Sequence, residues 1–294
     1  MKYNQFNKQS GKYIRKIGKK GQGPGEYQKL FSIYADDQQK ECFLMDTYAQ
    51  VIYVYGYDGV YKKRWNVDFM PERMLKQGDN YVVINALMTH NKKDLYLIDK
   101  SGKTVKRSTI NGDKKYGLMM WPPFLFRMNN TIYYKNNLSD QIYSVDESLQ
   151  KKPVYKIDSK GKDIDPTVDQ YNLKQGDRSK GSVILGPAFG YGATLFLPFA
   201  NDKGRSFAVY DTKTKKLFIP GKDGVVGFAD DLMQGPPVEV QYSAYLQMSL
   251  IGNELVSIVQ PSALEDAAFS GKFKSLMATL APDSNPIIRI ITLR

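Results

Sequence analysis

Carboxylates are the residues in this sequence best placed to do chemistry. Asp36, Asp37 and Asp46 lie close together in the chain. Convergent carboxylates can hold a divalent cation or act as the acid and base of a hydrolase. Asp46 also belongs to a second set, with Asp99, Asp146 and Asp211, that ends apolar runs just before turn residues. Asp in that position accepts hydrogen bonds from nearby backbone N–H groups, so a turn role is the simpler reading. No D-x-D-x-D-G calcium loop is present.

His90 is the one histidine, set in the polar stretch Thr89-His90-Asn91-Lys92-Lys93. A Ser-His-Asp triad would have to use it, yet no G-x-S-x-G elbow exists. The stretch reads as a solvated hairpin tip. The single cysteine, Cys42, excludes an internal disulfide and a Cys-based zinc site. It alternates with Leu44 in an apolar run, which marks a packed thiol. No catalytic set, metal site or cofactor is expected.

The segment Gly21-Gln22-Gly23-Pro24-Gly25-Glu26-Tyr27 could offer backbone N–H groups to an anion. It lacks the G-K-S/T of a phosphate loop and the strand-to-helix setting of a dinucleotide site. Pro24-Gly25 fits the central pair of a type II turn instead.

The 294 residues carry 42 Lys+Arg against 30 Asp+Glu, a formal charge of +12. Such a balance suits nucleic acid, an acidic glycan or an anionic membrane surface. The lysines are scattered in pairs, at 19–20, 62–63, 92–93, 114–115, 151–152 and 215–216. Most fall at turns or outer strands, where Lys blocks edge pairing. Phe69, Arg73, Trp121 and Arg127 combine flat apolar surface with planar donors, in or near the loops 68–73 and 121–124. They are the candidate ligand-binding residues. The competing reading is that they pack the junctions between sheets.

The elements that must position these residues are strands. Aromatics make up 13% of the chain, with 21 Tyr, a composition that favours strands. Hydrophobic residues at 42% and charged residues at 24% are ordinary for a folded domain. No apolar stretch is long enough for a transmembrane helix. MKYNQFNKQSGKYIRK has no apolar core of a signal peptide.

One pattern recurs: an alternating apolar–aromatic run, an Asp, a polar or Gly turn, and another run. It appears at Ile52 to Tyr55 with Asp58-Gly59, and at Leu95 to Ile98 with Ser101-Gly102. It returns at Ile142 to Asp146 and at Phe207 to Asp211, and its tail is visible at Ser10-Gly11. Short apolar strands precede the hairpins at Cys42, Tyr81, Ile132 and Leu195. The register is about 45 residues, that of β-propeller blades. A β-sandwich or solenoid of stacked hairpins does not require that register.

The expected fold is all-β, a β-propeller with antiparallel blades in one domain over residues 1–294. Residues 156–190 read as an excursion between blades. Residues 261–280 read as a helical insertion, with Ser262 and Glu265 as capping box and Gly271 weakening the apolar stripe. A final strand follows at Ile287 to Leu293.

Residues 17–65 resemble an NHL repeat. They run from the turn Gly21 to Tyr27, through Phe31-Ser32-Ile33 and a strand ending at Asp46, to the strand Val51 to Tyr55 and the turn Asp58-Gly59. Gln50 stands where many such repeats place Arg. With Ile17-Gly18 before the turn, and Asn285-Pro286 before the last strand, the chain is similar to six-bladed propellers of exported lipoproteins from gut anaerobes. The resemblance covers most of the chain, with specific motifs at the two ends. It implies a periplasmic or cell-surface location, although this sequence shows no signal peptide. Counting the repeat along the chain gives blades near 28–70, 75–115, 120–157, 190–220 and from about 240, with an incomplete first blade expected at 1–17.

The function this implies is a non-catalytic module that binds a protein, glycan or small molecule on its loop face. Gluconolactonase-like relatives of the fold use acidic channel residues, which makes a hydrolase or lyase the alternative. Some NHL propellers bind single-stranded RNA on a basic face, which makes nucleic-acid binding the second.

Overall fold

The computed structural model describes residues 3–86, 93–109, 123–136, 139–162, 183–201, 204–219, 227–228, 238–239, 249–251, 253–259, 271–281, 284 and 287–292. The chain divides into two compact units, residues 1–158 with 165–174, and residues 159–164 with 175–294.

In the first unit the alternating runs pair with their neighbours in the chain. β1 (Tyr3–Phe6) and β2 (Tyr13–Ile17) form a two-stranded sheet. β3 (Ser32–Asp36), β4 (Glu41–Asp46), β5 (Val51–Gly56) and β6 (Tyr61–Asn66) form a four-stranded meander. β7 (Pro71–Gln77), β8 (Asn80–Asn85), β9 (Lys93–Ile98) and β10 (Thr104–Thr109) repeat it. So do β11 (Phe124–Met128), β12 (Thr131–Lys135), β13 (Gln141–Val145) and β14 (Lys151–Lys156). All these pairings are antiparallel.

Both faces of the middle strands are covered, which explains their aromatic and β-branched content. Phe43, Met45, Ile52, Val54 and Trp65 of one sheet meet Phe69, Met74, Tyr81, Val83, Tyr96 and Ile98 of the next. On the opposite face Cys42, Leu44, Val51, Tyr53 and Tyr55 pack with Ile17, Tyr27 and Leu30. Val82, Ile84, Leu95 and Leu97 in turn meet Leu125, Ile132, Tyr134 and Val145. Each such burial contributes about 1.5–3 kcal/mol. A lone hairpin is marginal in water, so the face-on-face stacking holds these sheets. The fourth strands β6, β10 and β14 are mostly exposed and rich in Lys.

The turn after each third strand lies on the outer strand of the sheet before it. Gly59, at φ 80°, sits by Arg15 and Ile17. Gly102, at φ 91°, sits on Trp65, and a Cβ there would fall 2.2 Å from the indole. The third copy of the turn has Leu149 at φ 60° where the second has Gly102. Burial of Leu149 among Ile132, Tyr134 and Val145 offsets the strain of that conformation.

In the second unit, β15 (Ile184–Leu185) and β16 (Phe189–Tyr191) both pair with β17 (Thr194–Asn201), which continues to β18 (Gly204–Asp211) and β19 (Leu217–Phe218). β20 (Gly227–Phe228) and β21 (Val238–Glu239) form a short ladder. β22 (Ser249–Ile251), β23 (Glu254–Val259) and β24 (Ile287–Thr292) form a three-stranded sheet. Phe189, Phe196, Phe207 and Leu255 make the core of this unit, with Val209 and Ile291 against them. The excursion expected at 156–190 thus ends in two strands, because Ile184-Leu185 and Phe189 find partners on β17.

The capping box Ser262/Glu265 lies outside the described residues. Of the helix expected over 261–280 the described part is α1 (Gly271–Met277), whose first residue Gly271 has a φ of 58°. Phe273 is its buried residue. The inner strand expected at 31–33 runs instead from Ser32 to Asp36.

Candidate functional site

Two of the aromatic and guanidinium candidates lie at the junction between the first two four-stranded sheets. Phe69 is buried and stacks on Tyr96, with ring centroids 3.7 Å apart and planes 12° apart. Arg73 is also buried, its Nε 4.0 Å from Glu72 Oε1. Burial draws the Arg73 pKa down, against the pull of Glu72. Arg127 is not brought to them. It is exposed and donates to the Lys76 carbonyl, tying β11 to the far end of β7. Trp121 and His90 lie outside the described residues.

The strand-end carboxylates organise backbone. Asp99 accepts from Ser101 N at 2.8 Å and Lys103 N at 3.0 Å. Asp146 accepts from Ser148 N and Gln150 N, both at 2.8 Å. Asp211 accepts from Lys213 N at 2.8 Å and Thr214 N at 3.0 Å. Asp37 accepts the Tyr57 hydroxyl at 2.9 Å. Asp36 is buried and accepts the Tyr81 hydroxyl at 3.1 Å and pairs with Lys76 at 3.0 Å. Burial disfavours its charge, but Lys76, the Gln39 N–H and Tyr81 outweigh that and hold the carboxyl low. Burial also pushes the Cys42 thiol up to about 11.

The Gly-rich turn is occupied by its own anion. Glu26 N–H donates to Gly23 O at 3.0 Å, and Gly25 has φ 75°, which is a type II turn. Glu26 Oε2 accepts from Gly23 N at 3.0 Å, and Oε1 pairs with Lys19 at 3.0 Å. The Gly23 N–H and Lys19 hold this carboxyl below its usual range.

Glu72 is the residue whose position was hidden in the sequence. Between Pro71 and Arg73 the register of β7 against β8 shifts, so Glu72 is the extra residue of a bulge. Bulges re-aim side chains. This one is fastened to the neighbouring sheet, since Thr47 Oγ1 donates to Pro71 O at 2.6 Å and Ser32 Oγ donates to Glu72 O. The Glu72 side chain is 13% exposed. Among the described residues no hydrogen bond reaches its carboxylate, and Arg73 is its one ion partner. Burial pushes its pKa up to about 7, with Arg73 pulling the other way.

A separate surface cluster surrounds Tyr48. Tyr48 is 62% exposed, and its ring meets Phe31 edge-on at 5.1 Å and 72°. Lys29 Nζ lies 4.7 Å from the Tyr48 centroid and 5.4 Å from that of Phe31. Buried Asp46 holds the two segments together. Its Oδ2 accepts from Gln28 N at 2.8 Å and Lys29 N at 2.9 Å, and its Oδ1 from Ala49 N at 3.3 Å. Phe31 directly precedes Ser32, whose hydroxyl donates to the Glu72 main-chain carbonyl. An aromatic at a hairpin tip, Tyr48 in Thr47-Tyr48-Ala49-Gln50, was the available sequence signal.

Meander sheets stacked face on face, with inner strands β3, β7 and β11 side by side, define a β-propeller protein with antiparallel blades. The chain belongs to the DUF4934 family, a domain of unknown function, whose model matches residues 2–292. It is similar in fold to a protein of Bacteroides fragilis classed as exported, at 18% identity and a TM-score of 0.72, over 98% of this chain and 84% of that one. A DUF4221 member from Bacteroides vulgatus shares 8% identity at a TM-score of 0.48, over 74% of this chain and 73% of that one. Virginiamycin B lyase from Staphylococcus aureus shares 11% identity at 0.48, over 87% and 83%. None of the curated proteins matches the sequence.

Proposed function

We propose that the protein is an exported, six-bladed propeller module of NHL-like type that binds a ligand or partner without transforming it. The single domain spans 1–294, in keeping with the family match over 2–292. Export is supported by the description of the Bacteroides fragilis structure and by the NHL-like turn. The observation that carries the reading is the cluster Lys29, Phe31 and Tyr48. An aromatic pair pinned by a buried carboxylate, with Tyr48 facing water and Phe31 half-buried behind it, is a surface built for contact.

One observation favours the hydrolase or lyase alternative: a carboxyl with a pKa near 7 suits a general acid. Such chemistry needs a second positioned group; among the described residues the charged partner of Glu72 is Arg73.

Calorimetric titration against neutral oligosaccharides, acidic oligosaccharides, peptides and single-stranded RNA tests the reading. It predicts binding of one class, weakened about tenfold or more by Phe31→Ala with Tyr48→Ala. Binding that survives the double substitution, or turnover of the bound compound, would overturn it.

A further inference from the structure

We propose that the outer strands of the first unit, β2, β6, β10 and β14, form a docking surface for an anionic phospholipid membrane. The inference goes beyond the ligand-binding reading and does not involve the Tyr48 cluster.

The four strands read YIRKI, YKKRWN, TVKRST and KKPVYK, each with two or three Lys or Arg and no Asp or Glu. Some of these cations are paired: Lys62 with Glu41, Arg107 with Asp68, Lys151 with Asp94 and Lys156 with Asp140. Arg64, Lys106 and Lys152 are exposed, and their side chains make no ion pair among the described residues. The turn carboxylates nearest in sequence, Asp58, Asp99 and Asp146, already accept N–H groups of their own turns.

Each outer strand also shifts register against its neighbour, leaving an extra residue at Ile14, Lys62, Val105 and Val154. Lysines and bulges both protect an open sheet edge, and Lys62 at its bulge fits that role. Ile14, Val105 and Val154 do not, since they are 43%, 57% and 44% exposed. Bulges re-aim side chains, and these three present apolar groups to water among cations. Tyr13, 58% exposed, adds a ring with a polar tip, which suits a membrane interface.

Cations and small apolar groups together match a layer of lipid headgroups. Phosphate takes the cations, and the boundary with the acyl chains takes the apolar side chains. Face-packed sheets lie about 10 Å apart, roughly one Debye length in ordinary salt. Neighbouring outer strands therefore act together on one charged surface. A nucleic acid or acidic polysaccharide would use the cations but leave Ile14, Val105 and Val154 in water. Base stacking would have Tyr13 as the one exposed aromatic on these strands.

The test is sedimentation of the full chain with vesicles of phosphatidylcholine alone and of phosphatidylcholine mixed with phosphatidylglycerol. Circular dichroism verifies that each variant is folded. Binding to the mixed vesicles should be about tenfold or more stronger than to the neutral ones, and should weaken as salt is added. Arg64→Glu with Lys106→Glu should lower it by about tenfold or more. Lys272→Glu with Lys274→Glu makes the same change in net charge on α1 and should leave it nearly unchanged. Val105→Thr with Val154→Thr should weaken it by about threefold or more.

Equal binding to the two kinds of vesicle, or equal losses in the two charge variants, overturns the proposal. Indifference to the valine substitutions overturns it as well, since the surface would then serve any polyanion. Charge-dependent retention of single-stranded RNA or oligogalacturonate, with no vesicle binding, does the same. None of these outcomes depends on Phe31 or Tyr48, so the ligand-binding reading is tested separately.

Discussion

Lys151 Nζ lies 2.5 Å from Asp94 Oδ2 across two adjacent sheets, with both side chains buried. Lys151 also donates to Thr109 O at 2.9 Å and sits over the Tyr134 ring at 5.3 Å. Removing one member leaves the other charge buried without its counter-charge. Lys151→Met should therefore cost about 3–5 kcal/mol. Joining it to Asp94→Leu should recover most of that loss, because two apolar groups can replace a buried pair. A double-mutant cycle in urea measures the coupling; additive costs would show that the pair is not an energetic unit.

Glu72 makes stability depend on pH. Its folded pKa, about 7, lies above the ordinary 4.5, so the folded chain holds this proton more tightly than the unfolded chain. Stability falls as pH rises through that window, by about 3 kcal/mol from this group. Glu72→Gln does not titrate. Its stability relative to wild type should rise across that window and stay level on either side. Unfolding curves of both proteins at about pH 4, 6 and 8 measure this; parallel pH profiles would contradict it.

Gly102 should tolerate no side chain. Alanine there combines a φ of 91° with a methyl 2.2 Å from Trp65, at a cost of about 2–4 kcal/mol. Gly59→Ala is the control. Its φ is 80°, but the nearest atom is the flexible Arg15 Cδ at 3.1 Å, so about 1 kcal/mol is expected. Chemical denaturation of the two variants gives the contrast directly.

Phe69 and Tyr48 should separate stability from binding. Phe69→Ala removes a stacked core ring and should cost about 3–5 kcal/mol. Tyr48→Ala removes an exposed ring and should change stability by no more than about 0.5 kcal/mol. Melting temperatures of the two variants decide the matter; a large loss for Tyr48→Ala would make it a structural residue.

The sheets were legible because a strand with two buried faces must repeat its apolar residues and then turn, as Ile52 to Gly59 and Leu95 to Gly102 do. Turn carboxylates such as Asp99 and Asp146 were legible for the same reason, since their partners lie within four residues. Leu149 hid its positive φ, because only packing against another sheet allows it. Phe69, Arg73 and Glu72 stand in a polar, Pro-containing segment, which reads as a loop. Their burial comes from the neighbouring sheet and from a bulge, and neither leaves a periodic trace. Lys29 and Tyr48 are distant in sequence, and the link between them is made by Asp46, whose second role no local pattern reveals.

The turns that rest on the preceding sheet give the first unit a direction. Arg15 on β2 donates to Asp58 O, Lys63 on β6 to Lys100 O at 2.9 Å, and Lys151 reaches back to Thr109 on β10. The outer strands β2, β6 and β10 are each clasped by the sheet that follows. Opening of the next sheet should thus free β6 or β10 to detach, and their amide protons should exchange with deuterium while the other three strands of their sheet stay paired. Unravelling in this unit then travels against the order of the chain, one sheet releasing the last strand of its predecessor, as in a nearest-neighbour array.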